Sequence, residues 1–221
     1  MVNLDSAQAQ EAEHAALPHA FLLPRGLAPR PGSYNIQLTP FLQGKRGVYE
    51  LDTGGHASIG MFDWGGLHLR SLGARTAPTT ELIGIATLAR DGPRGLSLLA
   101  IAGAPTGPSR DGHHSSWSFL AGLAGHWPGH GWGADALLHY DFSLGHFIPE
   151  VSLIRKLTKR CFAVLEGSAT IGNRPEIYTL PGIKFALNRS SLIGLGYRFP
   201  LTNSRTFDRQ IYAQLEWGRR H

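Results

Sequence analysis

From residue 33 to residue 218 one pattern recurs: about ten residues in which apolar and polar side chains alternate, closed by a short cluster of Gly, Pro, Asn or Asp. No helical period is sustained in that span. The end of the chain carries the pattern most cleanly. Ile211, Ala213, Leu215 and Trp217 hold the odd positions, and Gln210, Tyr212, Gln214 and Glu216 the even ones. A period of two puts each set on its own face of a strand.

The same reading runs backwards through the sequence. Ile193, Leu195, Tyr197, Phe199 and Leu201 oppose Gly194, Gly196 and Arg198; Ile177, Pro181, Ile183 and Phe185 oppose Tyr178, Gly182 and Lys184. Cys161, Ala163, Leu165 and Ala169 oppose Glu166, Ser168 and Thr170; Phe147, Val151 and Leu153 oppose Glu150 and Ser152. Ala134, Ala136, Leu138 and Tyr140 oppose Asp135, His139 and Asp141, and Trp117, Phe119, Ala121 and Leu123 oppose Ser116, Ser118 and Gly122. Less regular segments at 33–43, 46–53, 57–71, 80–89 and 95–105 bring the expected total to about twelve antiparallel strands in an up-and-down meander.

Such a meander closes either as a soluble ligand-binding barrel with its apolar face inward, or as a transmembrane barrel with that face outward. Composition favours the second. Only 17% of residues are charged, against roughly 25% in ordinary soluble domains, and 28 of 221 are Gly. The polar face is rich in Gly and Ser, as a narrow filled lumen permits, whereas a face bathed by water carries more Lys and Glu. Aromatics at strand ends (Trp117, Trp127, Tyr140, Phe142, Phe199, Trp217) sit where interfacial girdles belong. The expected fold class is therefore all-β, an antiparallel up-and-down transmembrane barrel of the bacterial outer membrane. With both termini on the periplasmic side, the loops at 72–79, 106–114 and 201–207 face outward from the cell.

Residues 1–31 read differently. Pro18, Pro24, Pro29 and Pro31 surround the apolar stretch Ala20-Phe21-Leu22-Leu23 and exclude a regular helix or central strand. This divides the chain into a flexible Pro-rich leader or plug segment, 1–31, and a barrel, 32–221. Met1 to Leu17 lacks the apolar core of a signal peptide, and Ala7-Gln8-Ala9-Gln10 looks like the residues that follow a signal-peptidase site, so the signal of an exported chain would precede this sequence.

Ala104-Pro105-Thr106-Gly107, Leu180-Pro181-Gly182-Ile183-Lys184 and Gly194-Leu195-Gly196-Tyr197-Arg198-Phe199-Pro200-Leu201 together resemble the outer-membrane transporter-like barrels grouped with the phenol-degradation meta-pathway proteins. The resemblance covers roughly residues 57–218. It implies a channel for aromatic and hydrophobic compounds, and no catalytic residues. The chain departs from that family in its short first third and in ending Gly-Arg-Arg-His, with Trp217 as its last aromatic.

The inward set of the expected barrel is its candidate site: Asp135, His139, Asp141, Glu150, Glu166, Lys184, Arg198 and Glu216. Buried charges of opposite sign should pair. Asp135 and His139 could also form an acid–base couple, with Ser116, Ser118 or Ser152 as a nucleophile, but no hydrolase motif accompanies them. His113-His114 near Asp111, and His126 with His130, read as solvated histidines, since in a barrel the two groups lie at opposite ends. Cys161 reads as a small lipid-facing residue. Cations are scattered singly, against nucleic-acid binding. No cofactor, metal or catalytic residue is expected. The expected partners are outer-membrane lipid, a small-molecule solute, and an envelope protein contacted through the amino-terminal segment. A structural barrel scaffolding a larger envelope complex is the alternative role.

Overall fold

The computed structural model describes residues 17–24, 26–71, 73–74, 79–106 and 117–219. Twelve strands form the wall: β1 (Tyr34–Lys45), β2 (Val48–Phe62), β3 (Gly65–Ser71), β4 (Thr79–Asp91), β5 (Arg94–Pro105), β6 (Ser118–Gly129), β7 (Trp132–Asp141), β8 (His146–Lys156), β9 (Cys161–Thr170), β10 (Glu176–Ala186), β11 (Ser191–Pro200) and β12 (Arg209–Arg219). Each is antiparallel to its sequence neighbours, and β12 returns to pair with β1, with Tyr34 opposite Arg219 and Gly44 opposite Arg209. The barrel is closed and has no free edge, so backbone groups along the wall find partners without water, as a bilayer requires. Eleven of the strands have 10–15 residues, the length that spans hydrocarbon at a tilt.

Connections sort by end. The end carrying the chain termini has the tight turns at 63–64, 92–93, 130–131, 157–160 and 187–190; the longer links at 72–78, 106–117, 171–175 and 201–208 all lie at the other. Two connections at that other end are short, 142–145 and 46–47; in the second, Arg46 (φ 51°) and Gly47 (φ 82°) both adopt the left-handed region, the geometry of a two-residue hairpin turn.

The side-chain distribution inverts that of a water-soluble protein. Leu195 is 57% exposed while Lys184 and Glu216 are each 1% exposed. Leu38, Leu69, Leu98, Leu138, Leu153 and Leu215 are likewise exposed on the outer wall. Trp117, Phe119, Phe142 and Phe147 ring one end of this surface, and Tyr34, Phe62, Trp64, Trp127 and Trp217 the other, all exposed. An apolar band between two aromatic girdles is the lipid-facing surface of a transmembrane barrel.

The early strands differ from the sequence reading in two ways. Segments 46–53 and 57–62 are one continuous strand, β2, and residues 65–71 form a separate one, β3, with a register shift between Gly60 and Phe62. In β4 and β5 the middle inward positions are apolar too: Ile83, Ile85, Leu99 and Ile101 are buried in the interior beside Glu81 and Ser97, with Leu82 and Leu98 exposed outside. Alternation in hydropathy is lost there because both faces meet apolar surroundings.

Candidate functional site

The interior site is built from two parts, the polar lumen wall and residues 17–31. That segment enters from the end where β1 begins and runs inside the barrel. Leu17, Pro18, His19, Ala20, Phe21, Leu23, Pro24 and Ala28 are all buried. Its prolines prevent helix and ladder formation, so its amides and carbonyls need side-chain partners. The lumen wall supplies them.

Glu166, on β9, accepts from two successive amides, those of Phe21 and Leu22, the second at 3.1 Å. Asp135 accepts from the Gly26 amide at 2.7 Å and Glu216 from the His19 amide at 3.4 Å. Carbonyls are met by donors. Lys184 Nζ donates to His19 (2.6 Å) and Ala20 (3.1 Å), Gln214 to Phe21 (2.9 Å), Arg70 to Leu22 (3.3 Å) and Arg90 to Ala28 (3.3 Å). The acids of the wall therefore face the segment's N–H groups, and the bases and the glutamine amide face its C=O groups.

Inward glycines trace the segment's path. A Cβ at Gly60 would lie 1.9 Å from the Arg30 carbonyl oxygen, at Gly66 2.8 Å from Pro29 and at Gly95 2.4 Å from Leu27. Gly26 approaches Gly125 so closely that a Cβ on it would lie 2.2 Å from the Gly125 carbonyl oxygen. Deeper in, Gly182, Gly194 and Gly196 form a socket for the Phe21 ring, at 2.5, 2.9 and 3.4 Å from their hypothetical Cβ positions. Lys184 Nζ lies 4.7 Å from the ring centroid, within cation–π range. Apolar contacts complete the seat: Ala20, Leu23 and Ala28 pack with Ile83, Ile85, Leu99 and Ile101, while Leu17 and Phe21 pack with Phe162, Leu180, Leu192 and Tyr212.

Of the residues expected to line the lumen, Lys184 and Glu216 form a wholly buried ion pair at 3.2 Å. Glu166 and Asp135 are turned to the segment, and Asp135 also meets His126 Nδ1 at 2.8 Å. Arg198 stands over the rings of Tyr178 (4.6 Å) and Phe207 (5.1 Å) and donates to Ser168 and Gln210, neutral partners in place of the expected charged one. His139 approaches Glu150 at 4.0 Å. Asp141, by contrast, accepts from the Ser143 and Leu144 amides and closes the turn after β7. Asp135, His139 and Asp141 thus share a strand face but serve three separate neighbourhoods.

Ser152 reaches Asp135 at 3.5 Å, on the opposite carboxylate oxygen from His126. The carboxylate stands between serine and histidine, so the imidazole is not placed to take the serine proton. His113, His114, Asp111 and Ser116 lie outside the described residues. Among the described residues no group of three or more His, Cys, Asp or Glu side chains is placed to hold a metal ion.

Sequence reasoning missed the polar cluster on β2–β4. Arg70 and Glu81 pair at 2.6 Å, and His56 Nε2 meets His68 Nδ1 at 2.9 Å with the rings stacked. The run Leu67-His68-Leu69-Arg70 carried the signal, a two-residue alternation obscured by reading 57–71 as one strand.

Two interior cavities of about 20 Å³ each flank Leu22, one against Glu166, Tyr178 and Arg198, the other against Thr39, Phe41, Arg70 and Tyr212. Each is of the size of a single water molecule. Toward the loop-bearing end, Phe207 stacks on Tyr178 at 4.5 Å, and the Tyr178 hydroxyl accepts from the Thr206 amide.

A closed twelve-stranded antiparallel barrel with a lipid-facing belt defines a class, the outer-membrane β-barrels. Comparison with solved structures places the fold within that class. The chain matches the KdgM porin in complex with disordered oligogalacturonate at a TM-score of 0.65 and 8% identity, covering 83% of this chain and 98% of that one. It matches an outer-membrane channel from Pseudomonas putida F1 at a TM-score of 0.58 and 10% identity, covering 87% of this chain and 97% of the other. No protein family and no curated protein matches the sequence.

Proposed function

We propose that this protein is a narrow outer-membrane channel for small solutes with hydrophobic or aromatic bodies, held closed by residues 17–31. The observation that carries this reading is how the lumen charges are used. Glu166, Asp135, Glu216, Lys184 and Arg70 bind the segment through its backbone, so its withdrawal leaves them lining a polar path beside the apolar wall of Ile83, Ile85, Leu99 and Ile101. In this reading His139, Asp141, Glu150 and Arg198 line the same path. A solute with an apolar body and a polar group matches both walls. Structural kinship with outer-membrane channels supports the class, and the amphipathic lumen supports the choice of solute.

The test is planar-bilayer current through the full chain carrying a protease site between Gly32 and Ser33, before and after cutting. The intact chain is expected to stay closed, and the cut chain to give discrete current steps once the segment is washed away. A folded barrel that has lost its segment and still passes no current would refute the channel and favour a scaffold.

A further inference from the structure

The lumen holds Phe21 as a binding site holds a ligand. The ring lies in a socket that exists only because Gly182, Gly194 and Gly196 have no side chains. Leu180 closes one side, its Cδ2 standing 2.9 Å from where a Gly196 Cβ would be, and the buried Lys184 ammonium lies over the ring. On either side of the ring the chain is gripped through its peptide groups, while Leu17, Ala20 and Leu23 pack on apolar parts of the wall. Glu166 takes the amides of Phe21 and Leu22, Gln214 takes the carbonyl of Phe21, and Lys184 takes those of His19 and Ala20. The phenyl ring is read by shape; the polar contacts engage groups that every peptide carries. Nothing in the chemistry requires the occupant to be covalently attached to β1.

We infer that this socket is a binding site for an extended, apolar peptide carrying an aromatic side chain, occupied in cis by residues 17–24. A segment of an envelope protein presented from the terminus-bearing end has the same chemistry and competes for the same site. The cis segment has the advantage of tethering, which for short linkers amounts to an effective concentration on the order of millimolar, so a peptide in trans gains access when the tether is cut or the segment is withdrawn. The inference stands beside the channel reading: it requires that the occupant exchange, and it does not require that the empty lumen conduct.

The test uses the full chain with a protease site between Gly32 and Ser33, where Pro31 and Gly32 are exposed, folded in detergent micelles and then cut. A fluorescent synthetic peptide of residues 17–31 is added and its anisotropy followed, with unlabelled competitors. We expect the peptide to enter the cut barrel and not the intact one. A competitor with every side chain except Phe21 and the prolines reduced to Ala should compete measurably, because the backbone contacts remain. The Phe21→Ala peptide should be weaker by on the order of tenfold or more, the contribution of one buried phenyl ring. Gly194→Val in the barrel, with folding verified by heat-modifiable gel mobility, should abolish the Phe21 preference. Equal competition by the Phe21→Ala peptide, or no uptake by a cut barrel emptied of its own segment, overturns the inference. Ring-dependent competition without current steps would refute the channel and leave the binding site; steps without ring dependence would do the reverse.

Discussion

Lys184→Met removes one of the two most deeply buried charges among the described residues of the lumen. Its ammonium is 1% exposed and donates to three oxygens: His19 O at 2.6 Å, Ala20 O at 3.1 Å and Glu216 Oε2 at 3.2 Å. Hydrogen bonds to charged groups contribute about 1.5–3 kcal/mol each, and breaking a buried ion pair costs about 3–5 kcal/mol, chiefly because one charge is left without its counter-ion. Here the stranded Glu216 keeps the Asn35 amide at 3.0 Å and the His19 amide at 3.4 Å, so the expected loss is near the lower bound, about 3 kcal/mol. Lys184→Met combined with Glu216→Gln removes the stranded charge, and its amide still accepts from Asn35. The double variant should therefore recover part of the loss, with a coupling energy of about 1–3 kcal/mol. Urea titration in lipid vesicles, followed by the fluorescence of the five tryptophans, gives all three values. A single-variant loss under about 1 kcal/mol, or a double variant no better than the single, would mean that Lys184 is hydrated and that the lumen is not the dry, occupied space described above.

Leu195→Arg, mid-strand on the lipid face, should destabilise the inserted barrel by about 2–4 kcal/mol, whereas Leu201→Arg, just beyond β11, should cost about 0–1 kcal/mol; vesicle-folding titrations check both. Gly194→Val places a branched side chain where a Cβ alone would already lie 2.9 Å from the Phe21 ring; faster cleavage of the amino-terminal segment by added protease is the expected result. At the loop-bearing end, the Arg46 amide and then the Arg205 side chain hold the Asp208 carboxylate below its ordinary value. A depressed carboxylate stabilises the fold above its unfolded value, near 3.9, and that contribution is lost as pH falls through the folded value. The Arg46 amide resonance should accordingly move only in the acid range below about pH 4, and Asp208→Asn should abolish the movement.

The legible part of the fold follows from where each inward face looks. In β12, Gln210, Gln214 and Glu216 meet polar partners and Leu215 meets lipid, so hydropathy alternates and the faces can be assigned by reading alone. In β4 and β5, Ile83 and Leu99 meet the segment and Leu82 and Leu98 meet lipid, so alternation vanishes though the strands are regular. The inward position of Lys184 and Glu216 was readable from alternation. Their partners were not, because Lys184 binds carbonyls 164 and 165 residues away, and a carbonyl has no residue identity. The readable trace of the segment was the excess of inward glycine. Gly182, Gly194 and Gly196 leave room for Phe21, a demand that no local propensity expresses.

The strand next to the segment is also the strand that completes the cylinder, since β1 pairs with β12 along Tyr34–Gly44. Only Gly32 and Ser33 separate Pro31 from Tyr34, and Gly32 and Gly60 tie that corner to β2 by backbone hydrogen bonds. A cylinder closed along β1 and β12 without Phe21 against β10 and β11 would take from Lys184 and Glu166 the peptide groups they bind here.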